Sequence, residues 1–323
     1  MNFYKAYNLC IASELQLPEL IETEGEPDVI VRFGKVDNAT AMQQKSDKNF
    51  VGEIPEVSEV FIHDGREIVM NPVPGVDEAL LRTVLLGPVL CVLLRQRGLL
   101  VLHASCININ NKGVAFMGGS GWGKSTLATA FHTKGYDVLT DDVMPIQIKT
   151  GQPVVFPSYP QFKLCPDAAT SLGQDTKSLL PVSQNSFKVA YKLSRGFQQT
   201  PLPLHHIYVL DKGSEHKITR IKPQEAFVEL VRHTRAISSI SEQEFMAEHL
   251  HFCSELIKNV RFSRFTRKPS LGDLPELVKL VEDDLAELTE QDECSALKAP
   301  KTGSRQLNIL TSLQTSLLQG ERL

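Results

Sequence analysis

Gly118-Gly-Ser-Gly-Trp-Gly-Lys-Ser-Thr126 is the stretch on which the reading of this chain turns. It fits G-x-x-x-x-G-K-[ST], with Gly118, Gly123, Lys124 and Ser125 at the fixed positions. The run before it, Gly113 to Met117, is short, apolar and of strand type. The run after it, Ser125 to Phe131, has helix-forming composition and ends near Gly135. A strand, a glycine-rich loop and a helix form the context in which this motif carries chemistry. The glycines let backbone N–H groups curl around a polyphosphate, and the helix N-terminus adds the positive end of its dipole. Gly118, Gly119, Ser120, Gly121, Trp122, Gly123, Lys124, Ser125 and Thr126 are therefore candidate nucleotide-binding residues. Lys124 is expected to reach the β- and γ-phosphates, and the Ser125 hydroxyl to ligate Mg²⁺.

The chain returns through a second short apolar strand, Tyr136 to Thr140, straight into Asp141-Asp142. Adjacent carboxylates on a strand end point to opposite sides, which suits a division of labour. One can hold Mg²⁺, directly or through water, and the other can face an acceptor as general base. Upstream, Leu99 to Ser105 is an apolar run with one histidine, His103. Cys106 to Ile109 and a turn at Asn110 to Gly113 follow, a strand–turn–strand reading into the strand before the loop.

His103-Ala-Ser, a hairpin, the glycine-rich loop and Leu139-Thr-Asp-Asp142 together resemble the kinase domain of the HPr kinase/phosphorylase family. The closest resemblance is to HPr-kinase-related serine kinases, among them those that tailor lasso-peptide precursors. Pro157 to Leu164, Leu230 to Arg235 and His251 to Cys253 are similar to that group too. The resemblance runs from about residue 76 to about 285. It implies a P-loop-containing mixed α/β sheet core of the type shared by HPr kinase and phosphoenolpyruvate carboxykinase. It also implies roles: Lys124 and the loop amides on the phosphates of ATP, Ser125 at the metal, Asp141 activating the acceptor hydroxyl, Asp142 near Mg²⁺, and His103 beside the transferring group. The cofactors implied are ATP and Mg²⁺, and a homo-oligomer is implied by resemblance alone. The glycine-containing Glu-Ile-Arg-Gly signature of the bifunctional enzyme is absent, and Thr126 stands where HPr kinases carry Glu.

Composition sets outer bounds. The 323 residues carry a net charge of −4, so no electrostatic footprint for nucleic acid is present. The six cysteines are scattered without a Cys-x-x-Cys pair, which suits reduced thiols in a cytoplasm. The start has no signal-peptide pattern, and the most apolar stretch, Val84 to Leu94, is too short to cross a bilayer. That stretch reads as a buried helix interrupted at Gly87-Pro88. Three regions are expected: a small β-rich N-terminal domain over 1–75, the kinase domain over 76–290, and a mobile tail over 291–323. Leu307, Ile309, Leu310, Leu313, Leu317 and Leu318 form a weak amphipathic stripe in the tail. His205-His206 reads as strand-edge surface.

Phosphoryl transfer calls for an additional cation beyond the loop. Lys163, Lys188, Arg232 and Arg235 are candidates, with Arg235 preferred. The function expected is an ATP-dependent kinase acting on a serine or threonine hydroxyl of a peptide or small protein. Two other classes fit the same loop: a small-metabolite phosphotransferase or carboxykinase, and an ATP-binding regulatory protein.

Overall fold

The computed structural model describes residues 1–35, 49–149, 151–176, 179–183, 186–236 and 243–298. Met1–Val278 form one compact unit, and a second begins at Lys279. Alternating apolar residues build the first sheet from β1 (Asn2–Ala6), β2 (Leu9–Ser13), β3 (Ile21–Glu22), β4 (Val29–Phe33), β5 (Asn49–Ile54), β6 (Ser58–His63) and β7 (Glu67–Pro72). Its order is β3-β1-β2-β4-β7-β6-β5, with β4 parallel to both β2 and β7. Tyr7 and Asn8, both at positive φ, make the two-residue turn between β1 and β2.

The apolar segment that follows is helical throughout. Asp77 caps α1 (Glu78–Val84) by accepting from the Ala79 N–H. Where the sequence suggests a break at Gly87-Pro88, the helix widens into a π turn over Leu85–Val89 and resumes as α2 (Leu90–Gln96). A π turn removes one helical hydrogen bond, which accommodates a proline that has no N–H to give. Leu90 to Leu94 are all buried, each side chain worth about 1.5–3 kcal/mol where it is large and apolar. They join a hydrophobic cluster that runs from the first sheet through α1 and α2 to Val101, Val143 and Tyr159.

The second sheet holds the site. It comprises β8 (Leu100–Leu102), β9 (Ala104–Ile109), β10 (Lys112–Met117), β11 (Val138–Thr140), β12 (Met144–Lys149), β13 (Gln152–Val155), β16 (Leu202–Lys212), β17 (Lys217–Arg220) and β18 (Arg261–Arg267). Between β10 and β11 lies α3 (Lys124–Thr133), and between β13 and β16 a two-stranded sheet of β14 (Gln161–Leu164) and β15 (Val189–Lys192), joined by a segment containing α4 (Pro166–Ser171). The main path is β11-β9-β10-β16-β13-β12-β8, and β18 adds to β16 with β17 outside it. The pairs β10–β16 and β16–β18 are parallel, so the sheet is mixed and the fold is α/β. α5 (Pro223–His233) and α6 (Gln243–Asn259) cover it with Ala226, Leu230, Cys253 and Leu256.

The last helix, α7, runs over Leu274–Lys298. The leucine stripe from Leu307 to Leu318 lies outside the described residues. One expectation is corrected: His206 is buried, stacked on Tyr208 at 4.1 Å and 3.0 Å from the Ser263 hydroxyl, because β16 is a central strand. Among the described residues no helix is long and apolar enough to cross a membrane.

Candidate active site

Three neighbouring parallel strands, β10, β16 and β18, end at the same edge of the sheet, with Met117, Lys212 and Arg267 as their last residues. Ligands of open α/β sheets bind outside the carboxyl ends of such strands. The glycine-rich loop leaves β10 there. A Cβ at Gly118 would stand 3.2 Å from Leu210, so any larger residue there requires its neighbours to give by a few tenths of an ångström. Gly123 closes it at φ 73° in the left-handed region and precedes Lys124, the first residue of α3. No side chain caps that helix, so its first N–H groups stay directed to the loop.

A cleft of ≈ 260 Å³ opens over this loop. Ser120, Gly121, Trp122, Gly123, Lys124, Ser125 and Thr126 all face it. Gly118 and Gly119 lie beneath, their carbonyls accepting from the Lys124 ammonium at 2.9 and 3.0 Å. Burial lowers that ammonium to about 8, against the opposing pull of Asp141 and Asp142. The Trp122 indole folds over its own loop, its Nε1 3.0 Å from where a Gly119 Cβ would stand.

The two aspartates follow β11 in a tight turn. The Val143 N–H donates to the Asp141 carbonyl at 2.8 Å, and Asp142 sits at φ 68°, a conformation that costs most side chains but that Asp tolerates better. The turn sends the carboxylates to different environments. Asp141 is 5% exposed and accepts from the Ser105 hydroxyl at 2.6 Å, from the Lys163 backbone N–H at 3.3 Å, and from the Ser125 hydroxyl. Burial raises its carboxyl, and these hydrogen bonds pull the other way.

Asp142 lines the cleft. Its Oδ1 lies 2.6 Å from Arg235 Nη2 and 3.1 Å from His103 Nε2, and its Oδ2 lies 3.5 Å from Lys163 Nζ. Burial pushes its carboxyl up, but the hydrogen bond to His103 and the charges of Lys163 and Arg235 outweigh this and hold it well below the usual carboxylate range. His103 is itself lowered, by burial first, with the Asp142 hydrogen bond opposing.

Long-range pairing delivers these partners. His103 sits in the one-residue gap between β8 and β9, and its N–H donates to the His233 carbonyl at 2.8 Å. Two residues on, the Arg235 N–H donates to the Val101 carbonyl at 2.8 Å. The exit of α5 is thus strapped onto β8, which brings Arg235 to Asp142. Of the other cations singled out in the sequence, Lys163 and Lys188 line the cleft. Arg232 does not: its side chain is 62% exposed and pairs with Glu229.

Sequence reasoning missed Ser105 as the partner of Asp141, although it stands two residues after His103. It also missed Lys212 and Arg267, the last residues of β16 and β18, and Lys268 just after, all of which line the cleft. Arg267 Nη2 donates to the Trp122 carbonyl, its Nε is buried without a partner among the described residues, and burial lowers its guanidinium to about 10. No local signal marks it, because only the parallel pairing of β18 with β16 brings it to the loop.

No family model matches this chain, and no curated protein matches it. Among solved structures, the Hpr(Ser) kinase/phosphatase from Coxiella burnetii is similar, with a TM-score of 0.35 and 14% sequence identity over 62% of this chain and 98% of that one. The functional reading therefore rests on the site's own geometry.

Proposed function

We propose that this protein is an ATP-dependent kinase that transfers the γ-phosphate to a serine or threonine hydroxyl of a peptide or small protein. The observation that carries it is one cleft holding both a glycine-rich loop with Lys124 and an ionised carboxylate, Asp142, fixed by His103, Lys163 and Arg235. A phosphate cradle beside a cleft-facing acid supplies what transfer to a hydroxyl requires.

The residues fit the cofactors. Loop amides, the uncapped start of α3, Lys124 and Arg267 offer donors and positive charge to a triphosphate. Ser125 and Asp141 offer two adjoining hard oxygens for Mg²⁺, which binds through one or two carboxylates and keeps other positions for phosphate and water. When bound, the ion neutralises charge on the phosphates. Asp142 then takes the part of the acceptor base, because it faces the cleft while Asp141 is buried against Ser105 and Ser125. This reverses the division that the family resemblance implies. A carboxylate held so far below its usual range is a weak base in the resting site, so it serves chiefly to orient the hydroxyl. It accepts the proton late, as phosphate charge in the cleft weakens the hold of Lys163, which lines it. His103 holds Asp142 in place through its Nε2.

The test is transfer of labelled γ-phosphate from Mg-ATP into protein of a lysate, with wild type beside Lys124→Ala and Asp142→Asn. A labelled peptide or protein band that both variants lose is expected. Release of free phosphate only, unchanged in Asp142→Asn, would overturn the kinase reading.

A further inference from the structure

We infer that a second cavity, adjoining the cleft at Lys163, is the acceptor site and takes an extended peptide with an acidic residue flanking its hydroxyl; the inference rests on the kinase reading. The cavity encloses ≈ 500 Å³, within the range of functional ligand sites. Its walls come from both halves of the compact unit. Glu19 belongs to the loop between β2 and β3, Ala79, Arg82 and Thr83 to α1, and Gln161 and Lys192 to the β14–β15 pair.

Its position is the first argument. Lys163 lines both cavities, and its ammonium stands 3.5 Å from Asp142 Oδ2. Lys163 is thus the wall the two cavities share, with Asp142 on its cleft side. In-line transfer needs donor and acceptor on two sides of one reacting centre, and the two cavities supply them.

The chemistry of the walls is the second. Glu19 Oε1 accepts from Arg82 at 2.9 Å, while Glu19 Oε2 is buried without a hydrogen-bond partner among the described residues. Glu19 lines the cavity, and its oxygen with spare capacity accepts from an N–H donor once the side chain turns towards it; peptide backbone supplies such a donor at every residue but proline. Charge gives the flanking preference. Arg82 is answered by Glu19 and Lys163 by Asp142. Lys192 donates to the Pro18 carbonyl at 2.9 Å and pairs with no carboxylate among the described residues. A carboxylate on the peptide completes that set.

On this reading the N-terminal sheet contributes to acceptor recognition through Glu19, with α1 as the opposite wall. The experiment uses the full chain, labelled Mg-ATP and a position-scanning peptide library with one fixed serine. Wild type is expected to favour Asp or Glu over Lys at one flanking position by about fivefold, the scale of a partly exposed ion pair. Lys192→Glu should invert that preference. Ala79→Phe, which narrows the cavity, should raise the acceptor KM while the KM for ATP stays as in wild type. Melting temperatures report whether the variants fold, and Lys192 is an exposed side chain whose change leaves the core untouched. Peptides labelled with no acidic preference, or with the same preference in Lys192→Glu, would overturn the acceptor assignment and leave the kinase reading standing. Label in no peptide at all, with label in a small molecule or in free phosphate, would remove both.

Discussion

Asp142→Asn separates what the two adjacent acids do. The change keeps size and removes the charge that answers Arg235 at 2.6 Å and Lys163 at 3.5 Å. At an effective dielectric of about 20 those separations correspond to gross attractions of about 6 and about 5 kcal/mol. Desolvation offsets most of this, and the Arg235 side chain is 37% exposed, so a net loss of about 2–3 kcal/mol is expected. For a chain of this length that lowers the melting temperature by about 5 °C. Removing an acid–base group costs about 10²–10⁴ in rate, so kcat for phosphate transfer should fall by that factor. Nucleotide affinity should move the other way. Lys163, which lines the cleft, loses its internal counter-charge and turns to the phosphates, so the Kd for Mg-ATP should hold or tighten. Trp122, the single tryptophan and part of the loop, reports that affinity by fluorescence. A kcat within threefold of wild type would refute the role of Asp142 at the acceptor. A Kd at least tenfold weaker would place Asp142 at the metal, as the family resemblance implies.

Three further outcomes follow from the same geometry. Because burial lowers Lys124 to about 8, part of it is neutral above that pH, and phosphate favours its charged form; binding of Mg-ATP should take up protons at pH 8.5, and affinity should fall from pH 7 to 9. Calorimetry in buffers of different ionisation enthalpy measures this, and an uptake of zero refutes it. Arg267→Ala removes a buried cation from the loop and leaves the Trp122 carbonyl unanswered, so nucleotide affinity should weaken by about tenfold or more and Trp122 emission should shift even before nucleotide is added, with Arg267→Lys intermediate. Finally, the depressed carboxyl of Asp142 stays ionised in the folded chain where the unfolded carboxyl protonates, at about 3.9; its stabilisation is complete above that pH and is lost as pH falls below it, so acid unfolding of Asp142→Asn should be shallower below about pH 4.

Much of this site was legible because its chemistry is contiguous. The glycine-rich loop, Asp141-Asp142 and His103 each lie within a short motif whose flanks reveal strand or helix, and the mixed α/β sheet follows from those flanks. What local pattern does not encode is partnership across the sheet. Arg267 is brought to Trp122 by the parallel β16–β18 ladder, in which Lys212 faces Arg267. Ser105 meets Asp141 because β9 runs between β10 and β11. Arg235 is the preferred candidate among the extra cations, but its contact with Asp142 depends on the exit of α5 bonding back to Val101. The π turn at Leu85–Val89 was hidden for a different reason: glycine followed by proline signals a break, whereas the helix continues through it with Leu85 and Val89 buried.

The left-handed turn at Asp142 is what lets neighbouring residues of one type do different work. On an extended strand the two carboxylates would alternate between faces, with their backbone groups in register. At φ 68° the chain instead folds back within three residues, burying Asp141 against two hydroxyls and leaving Asp142 in the cleft between His103 and two cations. Each carboxyl is then shifted by its own surroundings, Asp141 upward by burial and Asp142 downward by its partners. A non-glycine residue at positive φ costs about 1–2 kcal/mol, least for Asp and Asn, whose short polar side chains bond locally. That preference is why Asn is the informative replacement: it keeps the turn, so a lost rate reports lost charge. Alanine would strain the backbone and move Asp141 as well, and its effect would not separate the two acids.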